Sequence, residues 1–398
     1  MEHFAVFRTP KTILYGRESL KQIGVEAAIR GQKALIVSDQ VMFGLGYVTG
    51  CQETLKQEGV ESEVYTGVES EPTDHYVTEA LVLFKNTDCD LVISLGGGSC
   101  IDTAKAIAVL ATNGGYIGDY RANQTIAEKA PIPHLAIPTT AGTGSEATDV
   151  TVITNTMTDV KMMIKQPAFM PDVAIVDPLL SASSPQHVTA ATGIDALSHA
   201  VEAYLSKRAH PMTDTIALSA MKLIIENIKS AYNDGDNLDA RESMSLGALQ
   251  AGMAFTNASV CLVHGMSRPI GALFHVPHGY SNAILLPAVL EYSKGSCTDR
   301  LADLGRLFQP QSTSLSNDEA ADIAVASVKS LCASLNIPNL KTWGIDESTY
   351  NTAISKMAAD ALDSGSPAHN PRLPTQSELE DLYKICYDYQ FTSEAKIH

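Results

Sequence analysis

Short apolar runs alternate with amphipathic stretches over the first 180 or so positions. Lys33–Asp39 (KALIVSD), Val60–Tyr65 (VESEVY), Asp90–Leu95 (DLVISL), Ile132–Ile137 (IPHLAI) and Val173–Val176 (VAIV) read as strands. A helical pattern runs from the glycines after Leu95 through Ala111. Strands alternating with helices predict a parallel sheet covered on both faces. From about residue 182 the strand signals nearly vanish. Helical periodicity marks Ala191–Ser206, Met212–Lys229, Ala240–Ala258, Asp318–Leu335 and Gln376–Tyr387. Ser316-Asn-Asp-Glu319 has the spacing of a capping box. The expected fold is an α/β, Rossmann-like domain at 1–181 followed by an all-helical domain at 182–398, with chemistry in the cleft between them.

Length fits this division: 398 residues correspond to two or three domains of about 150 residues. The 45% hydrophobic and 18% charged content excludes disordered and coiled-coil classes. The formal net charge of −17 and the lack of a basic stripe argue against nucleic acid and against an anionic membrane surface. No apolar run approaches the roughly 18 residues of a spanning helix, and the start MEHFAVFRTPKTILYG does not read as a signal peptide. Seven scattered cysteines with no C-x-x-C pair suggest free thiols in a reducing cytoplasm.

Gly96-Gly97-Gly98-Ser99 lies where a strand becomes a helix. Bare backbone and a helix N-terminus together favour a phosphate there, although a tight βα turn has the same look. Ser99 and Asp102 have capping-box spacing. A second loop after a strand, Pro138 to Glu146, carries Thr139, Thr140, Gly142, Thr143 and Gly144. Two such loops fit ligand binding at the carboxyl edge of an open sheet. Asp39 ends the first apolar run; it can accept from a ribose diol and would repel a 2′-phosphate, favouring NAD over NADP, or it is simply a helix N-cap.

Asp195 and His199 stand at i and i+4 in a helical stretch, hence on one face. Downstream, His264, His275 and His278 fall within fifteen residues. One carboxylate with three imidazoles suits a divalent ion such as Fe2+ or Zn2+, leaving a position for a substrate oxygen.

The segments GGGSCIDTAK (96–105), PTTAGTGSEAT (138–148), DPLLSASSPQHVTAATGIDALSHAVEAY (177–204) and LVHGMSRPIGALFHVPHGYSNAILLP (262–287) resemble the iron-containing, or group III, alcohol dehydrogenases. Members of that family include lactaldehyde reductase, 1,3-propanediol dehydrogenase and the methanol dehydrogenase of bacilli. The resemblance implies a dehydroquinate synthase-like architecture and an NAD-linked alcohol dehydrogenase or aldehyde reductase. Asp195, His199, His264 and His278 match its metal ligands, for iron with zinc as the other candidate. Asp39 matches the position tied to NAD preference. Gly97, Gly98 and Ser99, followed by Asp102, match the pyrophosphate loop, and Thr139, Thr140 and Thr143 the second cofactor loop. Lys161 and Leu180 match positions lining the adenosine and nicotinamide ribose. His275 is expected near the nicotinamide and not on the metal. A homodimer or larger homo-oligomer is implied.

Two positions depart from the family pattern. Arg268 stands where relatives often have His, which removes a proton-shuttling imidazole. It is either half of a structural ion pair or a contact for an anionic substrate. Glu71 stands where relatives often have Asn, so a nucleotide contact from that position is in doubt. The expected reaction is hydride transfer between a small primary alcohol or diol and NAD. The alternatives are glycerol dehydrogenase-like polyol oxidation, a dehydroquinate synthase-like lyase, and a binding module without turnover. The individual alcohol is not legible, because Met253, Phe255 and Phe274 read equally as pocket or core.

Overall fold

The computed structural model describes residues 4–391. Among them are eight strands: β1 (Thr12–Tyr15), β2 (Lys33–Val37), β3 (Glu61–Tyr65), β4 (Leu91–Gly96), β5 (His134–Pro138), β6 (Val150–Asn155), β7 (Val160–Lys165) and β8 (Val173–Val176). Six form one parallel sheet in the order β1-β8-β5-β4-β2-β3. The apolar runs are continuous because both faces are covered. On β2, Ala34 and Ile36 pack with Val48, Cys51 and Leu55 on one side. Leu35 and Val37 pack with Phe84, Ala104 and Ile107 on the other.

The strand order reverses between β2 and β4, since β3 lies outside β2 while β5, β8 and β1 follow on the far side of β4. A crevice opens at the carboxyl ends of strands at such a reversal. Asp39 lies just past β2 and Gly97 just past β4, so both stand at its mouth. Gly97 is the N-cap of the Gly98–Asn113 helix and no side chain caps it. The expected Ser99/Asp102 capping box therefore does not form. Asp102 has better partners inside: it accepts from Ser145 Oγ at 2.5 Å and Val152 N at 2.8 Å. Asp39 does cap the Gln40–Gly44 helix, accepting from Met42 N at 2.8 Å.

Strands β6 and β7 form an antiparallel hairpin that the alternation of apolar runs did not announce. Its pleat divides it. Ile153, Met162 and Ile164 enter a core cluster, whereas Lys161, Met163 and Lys165 face a cavity.

After β8 come helices, the principal ones being Gln186–Leu205, Pro211–Asn233, Leu238–Ala258, Leu262–Phe274, His278–Ser293, Thr298–Phe308, Asn317–Ser334, Glu347–Asp363 and Gln376–Tyr387. They share one apolar cluster that includes Leu197, Ile224, Met266, Ile284, Val328 and Tyr383. The Ser316 box forms as expected, with reciprocal bonds to Glu319 of 3.3 and 2.9 Å. Two of the helices carry an interior proline, Pro269 and Pro287. Among the described residues no single helix is long and apolar enough to cross a membrane.

Loop 139–148 ties the sheet to the helices. A Cβ on Gly144 would lie 2.6 Å from Gly252 Cα, and Gly144 has φ +61°, so glycine on both sides permits the contact. Thr256 Oγ1 donates to Asp149 at 2.6 Å beside it. Lys105, fully buried, donates to Ser145 Oγ, Thr148 Oγ1 and Val150 O at 2.6–2.8 Å, joining the two glycine-bearing loops.

Candidate active site

The helix Gln186–Leu205 presents Asp195, His199 and Glu202 at i, i+4 and i+7, along one stripe. The chain then turns by 104° between the helices Leu238–Ala258 and Leu262–Phe274. The second of these begins against that stripe. A helix start needs acceptors for its free N–H groups, and Glu202 supplies them: it accepts from Cys261 N at 2.9 Å and Val263 N at 2.5 Å. The same carboxylate accepts from His264 Nδ1 at 2.7 Å, leaving Nε2 to face inward. His278 opens the following helix and brings the fourth donor.

One ligand atom from each of Asp195, His199, His264 and His278 lies within 4.8 Å of all the others. From Asp195 Oδ1 it is 3.6 Å to His264 Nε2, 3.8 Å to His278 Nε2 and 4.0 Å to His199 Nδ1. His199 Nδ1 is buried with no hydrogen-bond partner, an orphan that a cation would satisfy. Three of the four residues are buried and His278 is partly open. Asn282, one turn after His278, donates to Asp195 Oδ1 at 2.6 Å and lies 3.0 and 3.1 Å from the two inward Nε2 atoms.

The electrostatics agree with a site built for a positive guest. Burial alone would raise the Asp195 carboxyl, but the three imidazoles hold it well below the usual range. Burial pushes His199 down to about 3, against the pull of Asp195, and His278 to about 4. Burial would lower His264 as well; there the carboxylates of Asp195 and Glu202 prevail and raise it. A carboxylate kept ionised among two neutral imidazoles is a cation-binding donor set.

The three imidazoles open on a cavity that is also lined by Gly98, Ser99, Asp102, Thr143, Lys161, Phe255 and Arg268. Phe255 stacks on the His199 ring at 4.3 Å, which makes it a pocket residue. Phe274 packs on Tyr350, and Met253 joins a small core cluster. A second cavity is lined by Asp39, Gly97, Ser99, Thr139 and Thr140, with Ser99 common to both. The expected cofactor residues therefore line one or the other of these two adjoining cavities, with one exception. Leu180 packs in the core beneath the sheet and lines neither cavity. Lys161 lines the first cavity, where it is paired with Glu71 at 3.3 Å. Burial would raise Glu71, but Lys161 and His278 hold it below its usual range. His275 is exposed at the end of its helix, with φ +54°, and lines neither cavity.

Comparison with known proteins agrees with this geometry. Residues 10–178 match the family described as iron-containing alcohol dehydrogenase, and residues 189–387 match the Fe-containing alcohol dehydrogenase family, C-terminal. The chain belongs to the iron-containing alcohol dehydrogenase family. It is 38% identical to the 1,3-propanediol dehydrogenase of Klebsiella pneumoniae, over 96% of this chain and 98% of that one. It is 36% identical to the NAD-dependent methanol dehydrogenase of Bacillus methanolicus, over 95% and 98%. The crystal structure of a 1,3-propanediol oxidoreductase superposes with a TM-score of 0.92 at 37% identity, covering 97% of this chain and all of that one. The activity class these findings support is NAD-linked alcohol dehydrogenase or aldehyde reductase.

Glu202 and Asn282 are the supporting residues that pattern reading missed. Both carried a signal: Glu202 extends the Asp195/His199 stripe, and Asn282 is one turn from His278.

Proposed function

We propose that this chain interconverts a small primary alcohol or diol and its aldehyde, using NAD and one divalent cation held by Asp195, His199, His264 and His278. The observation that carries the reading is the convergence of these four donors on one another, with their three imidazoles lining the cavity that Gly98 and Ser99 also line. When bound, the cation supplies Lewis acidity toward the substrate oxygen, and the nicotinamide ring exchanges the hydride.

The chain's own residues prepare that chemistry. Glu202 fixes the tautomer of His264 and aims its Nε2. Asn282 orients the Asp195 carboxylate. Phe255 covers one face of His199 and keeps water from it. Gly97, Gly98 and Ser99, at a helix N-terminus, suit the pyrophosphate. Thr139, Thr140 and Thr143 line the two adjoining cavities, and Asp39 Oδ2 stands at the second beside Cys100 Sγ, 3.8 Å away.

In this reading residues 1–181 form the cofactor domain and 182–398 the metal domain. The working form is a homodimer or larger homo-oligomer. All seven cysteines are free, which supports a reducing cytoplasm. A lyase acting on a polyanionic substrate is less well supported, because two of the three basic side chains lining the cavity are already paired: Lys161 with Glu71 and Lys165 with Asp149.

The test strips the purified protein with a chelator, reloads it anaerobically with Fe2+ or Zn2+, and follows NADH on a panel of alcohols, glycerol and aldehydes. Activity lost on stripping and restored by one of the ions is the expected result. Turnover indifferent to both treatments, or no turnover on the whole panel, would refute the reading.

A further inference from the structure

Arg268 follows His264 by one turn of the Leu262–Phe274 helix, so the two side chains share a face. It is 8% exposed, and it lines the cavity together with His199, His264 and His278. Its guanidinium carries five N–H donors. Nη1 donates to Ser366 Oγ at 2.9 Å and Nη2 to the weak acceptor Met163 Sδ at 3.1 Å. Among the described residues no carboxylate reaches it within ion-pair distance, so the structural ion pair considered for this residue is absent.

The nearby carboxylates are all engaged elsewhere. Glu71 pairs with Lys161, Asp149 with Lys165, and Asp102 lies 3.8 Å from Lys105. Asp195 sits among the imidazoles, and Glu202 is taken by His264 and two backbone amides. The Glu202 charge favours the Arg268 guanidinium from beyond ion-pair distance, but all its hydrogen bonds go to these three other donors, so Arg268 has no carboxylate in contact. Burial lowers this guanidinium to about 10, still charged at neutral pH. An unpaired buried charge is costly to a fold. Its free donors present a fork shaped for an oxyanion.

We propose that Arg268 is the counter-ion for a carboxylate or sulfonate on the substrate, so that the alcohol or aldehyde handled here is a short anionic one. This rests on the function proposed above and narrows its substrate class. The carbinol carbon gives a hydride to oxidised nicotinamide and the hydroxyl gives a proton to solvent; the anionic end is unchanged. His264 and Arg268 are about 6 Å apart along the helix axis, which implies a chain of only a few carbons between the reacting carbon and the anion. The pyrophosphate is a rival anion, because Ser99 lines the same cavity. It has the glycine loop and helix N-terminus to receive it, and the experiment separates the two.

The metal-loaded enzyme is assayed with NADH on matched aldehydes: 4-oxobutanoate against butanal, and 2-oxoethanesulfonate against propanal. The wild type favours at least one anion in kcat/KM by about 30-fold or more, mostly through KM, corresponding to ~2 kcal/mol. Arg268→Gln brings that ratio within about threefold and Arg268→Lys restores part of it, whatever the absolute rates. Independently of turnover, propionate or ethanesulfonate raises the melting temperature of the NADH-bound wild type and not of Arg268→Gln. Equal kcat/KM for neutral and anionic aldehydes in the wild type overturns the proposal. So does an Arg268→Gln variant that keeps the discrimination, or one whose sole defect is weaker NADH binding. If no aldehyde on the panel is reduced, the proposed function itself fails; the melting experiment still reports on Arg268.

Discussion

Replacing Glu202 by Gln tests whether a residue that touches no substrate sets the affinity of the four-donor cluster. The carboxylate accepts three hydrogen bonds, from Cys261 N, Val263 N and His264 Nδ1. A glutamine keeps one acceptor oxygen and turns an NH2 toward a position where only donors stand. At least one of the three contacts becomes donor against donor in a buried site. Charge-assisted hydrogen bonds contribute about 1.5–3 kcal/mol each, so the metal-free variant should lose about 2–4 kcal/mol of stability. His264 also loses the partner that fixes its tautomer. Removing such a partner from a metal-bound imidazole weakens affinity about 10–100-fold. Competition with a coloured chelator measures the affinity, and urea unfolding of the stripped protein measures the stability. If stability falls while metal affinity stays within twofold of wild type, Glu202 only caps a helix and the role given to it here is wrong.

Three further perturbations probe other parts of the account. Asp39→Ser keeps an N-cap acceptor while removing the charge, so the preference for NAD over NADP in kcat/KM should fall by about tenfold or more, and an unchanged ratio removes the selectivity role of Asp39. Gly144→Ala drives a Cβ toward Gly252 Cα at 2.6 Å and Ala248 O at 2.8 Å from a backbone with φ +61°; thermal unfolding should show a loss of about 2 kcal/mol or more, with weaker NADH binding by fluorescence titration, and wild-type behaviour in both would contradict the close contact. Burial, with a smaller contribution from Lys105, pushes His134 down to about 3 from an ordinary 6.5. The unfolded chain therefore binds the proton more readily, and stability is lost as pH falls below 6.5, by about 2 kcal/mol between pH 7 and 5. Urea unfolding of metal-free protein at the two values reads this loss together with those from the depressed His199 and His278, and His134→Gln should reduce the total by about 2 kcal/mol; an undiminished loss in that variant would assign it to other groups.

What was legible in the chain, and what was not, follows from distance and burial. Strands such as Ala34–Val37 and Leu91–Ile93 could be read because both faces are apolar over consecutive residues. The β6–β7 hairpin was hidden because its alternation mixes core residues with the cavity-facing Lys161, Met163 and Lys165. The helices Leu262–Phe274 and His278–Ser293 carry Pro269 and Pro287, and the second has so many buried positions that no polar stripe gives it away. The Ser99/Asp102 spacing misled because Asp102 finds Ser145 and Val152, more than 40 residues away, inside the protein. The Asp195/His199 pair was visible as a local i,i+4 relation. Its convergence with His264 and His278 came from the family resemblance and then from the fold. Glu202 acts on partners 59 to 62 residues distant, and local spacing does not reveal those. Arg268 stood out only as a departure from the family pattern; whether it had a carboxylate partner could be decided only in three dimensions.

The most direct measurement is a calorimetric titration of stripped protein with Zn2+, or with Fe2+ under anaerobic conditions, beside the same titration of Asp195→Ala. One tight equivalent per chain in the wild type, absent from the variant while NADH still binds, is the predicted outcome. Tight binding of one equivalent by Asp195→Ala, or none by the wild type, would contradict the claim that these four side chains hold a single cation.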